Sequence, residues 1–263
     1  MTEGTAQLVE HLRSLGPVVV AFSGGVDSTY LAVAATAALG EDALCVTASS
    51  ASLAGTEEAA ARDLATTQGL HHRVVRTDEL SDPRYVANGA DRCAWCKTYL
   101  MDALGPIAAE RGATVLLGVN VDDLGDHRPG QEAAAARGAR FPLVDLGMTK
   151  DQIRAESAVL GLPTADKPSS PCLASRLPYG TPVTMSRLRS VERAEQALRA
   201  LGFSDLRVRH HGDVALVEVP LEELDGAVAR REAIIAACQQ AGFLFCALDL
   251  EGLGSGRLNR VLG

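Results

Sequence analysis

The sequence predicts an α/β fold, a doubly wound parallel sheet followed by a smaller C-terminal α+β domain. Three observations predict it. Short apolar runs alternate with alanine-rich helical stretches through the first half, the pattern of βα units wound into a parallel sheet. Residues 166–183, "DKPSSPCLASRLPYGTPV", carry four prolines and one glycine, too much punctuation for a regular element. Beyond that tract the texture changes to helix, paired strands and helix. The expected domains are 1–165 and 166–263.

The elements follow in order. Residues 17–22 (PVVVAF), 44–48 (LCVTA), 73–77 (RVVRT) and 114–119 (TVLLGV) read as strands, with helices at 28–39, 56–68 and 97–111. In "MTKDQIRAESAVLGLP", Thr149 is a candidate N-cap and Gly161 with Pro163 a stop. After the proline-rich tract, 184–203 reads as a long helix and 206–220 as two strands around a His-Gly-Asp turn. Residues 221–241 read as one helix and 243–250 as a last strand.

With 263 residues, 47% of them hydrophobic, the chain can fill a substantial core. A formal net charge of −8 gives no electrostatic reason to expect a nucleic-acid partner, so an anionic ligand must be gripped locally. There is no signal-peptide pattern, and no apolar run approaches the roughly 18–20 residues of a membrane span. A cytoplasmic location with no membrane partner is expected. Of the six cysteines, 45, 93, 96, 172, 238 and 246, any that cluster point to metal binding or catalysis rather than disulfide stapling. Cys45, Cys238 and Cys246 lie in apolar runs and read as small buried hydrophobes.

The segment "SGGVDS", residues 23–28, follows the first strand and opens a helix. A tight loop there aims backbone N–H groups and the positive end of the helix dipole at one spot, which suits phosphate oxygens. Gly24 and Gly25 admit close backbone approach, and Ser23 and Ser28 add hydroxyl donors. Asp27 repels phosphate, so its expected work is holding Mg²⁺ or bracing the loop. The Walker A lysine and the GxGxxG pattern are both missing. The stretch from Gly118, "GVNVDDLGDHRPG", lies at the carboxyl end of the fourth strand, where open α/β sheets bind ligands. Its Asp122, Asp123 and Asp126 are candidates for Mg²⁺ binding or site organisation.

SGGVDS resembles the PP-loop of ATP pyrophosphatases, which split ATP into AMP and pyrophosphate. Taken with "DRCAWCKTYL" (91–100), "KPSSPCLASRLPYG" (167–180) and "LRVRHHGD" (206–213), the order and spacing resemble the LarE family of ATP-dependent sulfur transferases, from about residue 15 to about 220. The resemblance implies ATP and Mg²⁺ as cofactors and a homo-oligomer, a hexamer by analogy. It also implies adenylation of a carboxylate of pyridinium-3,5-biscarboxylic acid mononucleotide, followed by replacement of AMP with sulfur, on the way to the nickel-pincer cofactor of lactate racemase. An acyl adenylate has the good leaving group that a carboxylate lacks.

Cys172 is the expected catalytic residue, with Arg176 close in sequence as a cation able to favour its thiolate. In one subgroup the cysteine at this place surrenders its own sulfur and ends as dehydroalanine. Cys93 and Cys96 form a CxxC that alone suits redox, zinc or cluster ligation. Joined to Cys172, they match the three-cysteine subgroup, in which a [4Fe–4S] cluster has one position open for an exogenous sulfide. A Cys₃ zinc site and a Cys93–Cys96 disulfide use the same residues.

Arg207 and Arg209, two apart on a strand, share a face suited to phosphate or carboxylate. Arg176 is a further candidate for the nucleotide-like dicarboxylate substrate, Glu195 and Glu218 are candidate divalent-metal ligands, and Trp95 a candidate ring-stacking residue. His71, His72, His210 and His211 are expected to be exposed. Two enzyme rivals are a PP-loop tRNA thiolase and an amidotransferase, but the first is expected to be basic and the second to need a glutaminase. A non-catalytic ATP-sensing module is the rival of a different class.

Overall fold

The computed structural model describes residues 2–125, 129–254 and 256–262; Asp126 lies outside them. The chain divides into two compact units, Met1–Glu79 with Cys93–Ser170, and Leu80–Arg92 with Pro171–Gly263.

In chain order the first unit opens with α1 (Glu3–Leu15), β1 (Val18–Ala21), α2 (Val26–Leu39), β2 (Ala43–Ser49), α3 (Gly55–Thr67) and β3 (His72–Arg76). The short α4 (Pro83–Val86) belongs to the second unit. There follow α5 (Arg92–Arg111), β4 (Thr114–Leu117), α6 (Pro129–Ala135), α7 (Pro142–Asp145) and α8 (Lys150–Val159). The four strands form a parallel sheet in the order β3-β2-β1-β4. Alternate β1 side chains serve opposite faces. Val18 and Val20 enter a core with Leu8, Leu12, Leu31 and Ile153, while Val19 enters another with Leu104, Ile107, Val115 and Leu117. Both faces are therefore helix-covered, and the doubly wound α/β expectation holds.

The strand order reverses at β1. Its first crossover leads to β2 on one side, and β4 pairs on the other, so the crevice beyond the carboxyl ends of β1 and β4 is the sheet's switch point.

The second unit continues with α9 (Met185–Ala200), β5 (Arg207–His211), β6 (Val214–Glu218), α10 (Leu224–Ala229), α11 (Arg231–Gln240) and β7 (Phe245–Leu248). β5 and β6 form an antiparallel hairpin, and β7 pairs parallel to β6. α9 packs on β5 and α11 on β7, burying Leu188, Val191, Leu198, Val208, Val217 and Cys238. The sequence boundary at 165/166 falls a few residues before Pro171, where the second unit resumes. Leu80–Arg92 packs with that unit because Val183 N–H donates to the Val86 carbonyl and Gly180 N–H to the Asn88 carbonyl.

Helix α5 begins at Arg92 rather than 97, and α4, α6 and α7 were not expected; two further expectations change. The single helix over 221–241 is broken into a 3₁₀ turn, α10 and α11. Arg230, at the break, is held with its guanidinium 3.8 Å over the Phe203 ring and donating to the Leu201 carbonyl at 2.8 Å. The other change is α1, which the sequence reading did not include. Thr2 caps it by accepting from Thr5 N–H, and Leu8, Val9 and Leu12 line its buried stripe.

Candidate active site

The loop after β1 is braced by its own hydroxyls. Ser28 Oγ donates to the Gly25 carbonyl at 3.1 Å, accepts from Ser23 N–H at 3.2 Å and lies 3.0 Å from Ser23 Oγ. Gly24 has φ +71°, a region side chains avoid, and a Cβ there would meet Ala61 of α3 at 3.2 Å. Gly25 caps α2 with no side-chain hydrogen bond, leaving the first-turn N–H groups directed at the crevice. At the end of β4, a Cβ on Gly118 would lie 2.9 Å from Ser28 N. Gly118 therefore works by letting β4 approach the start of α2.

Charged side chains gather here that the sequence reading did not single out. Lys150 Nζ pairs with Asp27, whose other oxygen accepts from Asn120 at 3.3 Å. Lys167 Nζ donates to the Gly24 carbonyl at 3.2 Å and to Glu57 at 2.8 Å. Asp122 accepts from Lys150 N–H at 2.7 Å, at the start of α8, and Asp123 accepts from Asn120 N–H at 3.2 Å. These two aspartates organise the loop after β4. Lys167 lies in the quoted KPSSPC stretch, and a lysine beside a phosphate-type loop that lacks the Walker lysine was the available signal.

In the second unit, Cys172 is exposed and opens the 3₁₀ turn Leu173–Arg176. Arg176 is buried and forks onto Glu195 at 2.8 and 3.2 Å, and it also donates to the Pro171 carbonyl at 2.6 Å. It reaches Cys172 only at the carbonyl oxygen, 3.4 Å away. The expected position of this guanidinium against the thiol is thus corrected, because a buried carboxylate claims it. Arg209 forks onto Glu218 at 2.9 Å for both contacts and donates to the Ser175 carbonyl. Glu195 and Glu218 therefore neutralise buried arginines, with both oxygens of each engaged, and their surroundings do not suit a divalent ion. Arg207 donates to the Gly254 carbonyl at 2.9 Å. Burial, then repulsion from Arg209 and Arg176, holds its pKa below the ordinary arginine value.

Cys93, Trp95 and Cys96 occupy the first turn of α5, with Cys93 exposed and Cys96 half-buried. Cys93 and Cys96 are three residues apart and share a face, which Trp95 does not. Among the described residues no three His, Cys, Asp or Glu side chains gather into a set able to hold a metal ion. Thiol side chains such as those of Cys93, Cys96 and Cys172 are the donor type that ligates iron. Cys45 is buried, which pushes its thiol up to about 12. Cys246 is only half-buried, and a hydrogen bond to the buried Cys238 lowers its pKa while raising that of its partner.

The histidine expectation holds for two of four. His71 and His211 are exposed, whereas His72 lies 2.8 Å from Thr47 Oγ1 and His210 is buried edge-on to Phe243. Burial lowers the pKa of both rings.

Residues 5–93 match the asparagine synthase family. The chain is 44% identical over 261 residues to an uncharacterized protein of Synechocystis sp., covering 97% of each. It is 37% identical over 259 residues to the pyridinium-3,5-bisthiocarboxylic acid mononucleotide synthase of Lactiplantibacillus plantarum, covering 98% of this chain and 94% of that one. An uncharacterized protein of Methanocaldococcus jannaschii is 24% identical over 237 residues, 89% of each. With a braced SGGVDS loop at the switch point of a parallel sheet and this near full-length similarity, the chain belongs to the LarE family of the PP-loop superfamily.

Proposed function

We propose that the protein is an ATP-dependent sulfurtransferase. It adenylates a carboxylate of pyridinium-3,5-biscarboxylic acid mononucleotide and replaces AMP with sulfur, giving a thiocarboxylate in nickel-pincer nucleotide biosynthesis for lactate racemase. The observation that carries the reading is the Ser23–Ser28 loop at the switch point, flanked by Lys150 and Lys167, in a chain so similar to the Lactiplantibacillus synthase.

The N–H groups at the start of α2 and the hydroxyls of Ser23 and Ser28 receive the β- and γ-phosphates. Lys150 and Lys167 exchange their present carboxylate and carbonyl partners for phosphate oxygens. Asp27, released from Lys150, is the residue that would hold Mg²⁺, which supplies charge neutralisation on the departing pyrophosphate. A substrate carboxylate oxygen then bonds to the α-phosphorus as the bond to the β-phosphate breaks. A sulfur nucleophile attacks the acyl carbon of the adenylate and AMP leaves.

On the substrate side, Arg176 and Arg209 are each paired with a buried carboxylate, Glu195 and Glu218, while Arg207 feels repulsion from both of these guanidinium groups. A substrate phosphate beside Arg207 relieves that repulsion, and Arg176 and Arg209 hold the field in place. Trp95 is proposed to stack on the pyridinium ring. Cys93, Cys96 and Cys172 would hold a [4Fe–4S] cluster, which supplies an open iron position for sulfide. A second reading is favoured by the exposure of Cys172: its own sulfur forms a thioester with the acyl carbon, and loss of the Cα proton then cleaves Cβ–S, leaving dehydroalanine.

Anaerobic reconstitution with iron and sulfide, followed by metal analysis and by intact mass after turnover, tests the sulfur source. Bound iron with labile sulfide and an unchanged protein mass are expected. Loss of one H₂S from Cys172 in iron-free protein would replace the cluster with the sacrificial cysteine.

A further inference from the structure

We infer that Asn88 and Arg92 are positioning residues that set the shape of the Cys172 loop. That loop has no strand or α-helix of its own, only the turn Leu173–Arg176, and its prolines cannot donate backbone hydrogen bonds. Its own backbone supplies only short turn bonds, among them Ser175 N–H to the Cys172 carbonyl at 2.9 Å and Leu177 N–H to the Ala174 carbonyl at 3.2 Å, so much of its shape must come from side chains.

Asn88 supplies much of it. The residue is fully buried, and its φ of +54° makes it the one non-glycine in the left-handed region among the described residues. Asparagine is among the few side chains that tolerate this conformation. Its side-chain amide faces the Leu177, Pro178 and Thr181 carbonyls at 3.3, 2.8 and 2.9 Å. Its own carbonyl accepts from Gly180 N–H at 3.0 Å. Its side-chain oxygen accepts from Arg92 Nη1 at 2.6 Å, and the same nitrogen donates to the Ala174 carbonyl at 2.8 Å.

Arg176 and Arg209 take the Pro171 and Ser175 carbonyls. The backbone on both sides of Cys172 is therefore fixed by buried polar side chains, and the thiol is left exposed at the end of a clamped segment. A nucleophile or ligand so held keeps its geometry through turnover, and small displacements of such groups are costly in rate.

The inference rests on Cys172 acting on the sulfur side of the proposed reaction, and the experiment separates the two. Asn88→Gly keeps the backbone conformation and removes the amide fan; Asn88→Asp keeps the shape and the acceptor for Arg92 but removes the N–H donors; Arg92→Lys is the conservative variant. For each full-length protein, iodoacetamide alkylation of Cys172 is measured against that of Cys93 by peptide mass spectrometry. Substrate-dependent ATP–pyrophosphate exchange and thiocarboxylate formation are measured alongside. The Asn88 variants are expected to change the Cys172/Cys93 alkylation ratio several-fold. Thiocarboxylate kcat should fall about tenfold or more with the KM for ATP unchanged, the exchange reaction should persist, and Arg92→Lys should lie between wild type and the Asn88 variants. Wild-type alkylation ratios and sulfur transfer in folded Asn88→Gly would overturn the inference; should that variant not fold, the same two wild-type values in Arg92→Lys would do so. An altered ratio in protein that makes no thiocarboxylate even as wild type would sink the sulfurtransferase reading and leave the clamp standing.

Discussion

Lys167 and Lys150 are the residues whose roles depend most on tertiary structure. Ser23, Gly24, Gly25 and Ser28 are contiguous, and their chemistry was legible as a string. The lysines are more than 120 residues away in sequence, and only folding brings them to Gly24 and Asp27. Lys167→Ala is expected to lower pyrophosphate formation about 10- to 100-fold by loss of a charge-assisted phosphate contact, with little change in melting temperature; steady-state kinetics with a thermal melt checks it. Arg209 and Glu218 were legible as charges but not as a buried pair, because the β5/β6 register sets Glu218 opposite Arg207 and Arg209 reaches it only as a diagonal neighbour. Removing one partner by Glu218→Gln should cost about 3–5 kcal/mol, read from denaturant unfolding. His210 sits against Phe243, with Arg187, His211 and Asp213 contributing to its electrostatics. Its folded pKa is depressed, so the unfolded chain takes up a proton first. Stability from the neutral ring is then full above about pH 6.5 and is lost as pH falls toward the folded value. Melting temperatures should drop on acidification through that window, and less so in His210→Gln.

Among the elements, β1, β2 and β4 were legible because both faces are covered and their residues form largely apolar runs, whereas the edge strand β3 offered only Val74 and Val75 between basic residues. Helix α8 was legible from its cap, since Thr149 and Gln152 form the reciprocal capping box. Helix α1 was not, because its buried stripe of Leu8, Val9 and Leu12 is short and set among charges. Leu12→Ala is expected to cost about 2–5 kcal/mol as a buried truncation. The break between α10 and α11 depends on Arg230 meeting Phe203 across sequence-distant elements, which no local periodicity encodes. Gly118 joins element to function. A methyl there meets the backbone of Asp27 and Ser28 at 2.9–3.0 Å, and Gly118→Ala should cost about 1–3 kcal/mol through overpacking while weakening ATP binding, measurable by calorimetry.

At the scale of the whole molecule, the chain holds the phosphate-type loop in one unit and Cys172 with its buried arginines in the other. Among the described residues no helix is long and apolar enough to cross a membrane. Motif order made both halves of the proposed chemistry visible in the sequence, whereas the assignment of Leu80–Arg92 to the second unit needed the Asn88 hydrogen bonds. The most direct measurement is a single-turnover reaction of anaerobically reconstituted protein with MgATP, sulfide and pyridinium-3,5-biscarboxylic acid mononucleotide, followed by mass spectrometry of the small molecules. The account predicts AMP and pyrophosphate only when the dicarboxylate is present, together with a product in which one oxygen is exchanged for sulfur. AMP and pyrophosphate formed equally without the dicarboxylate, or a dicarboxylate recovered unchanged after ATP is consumed, would contradict it.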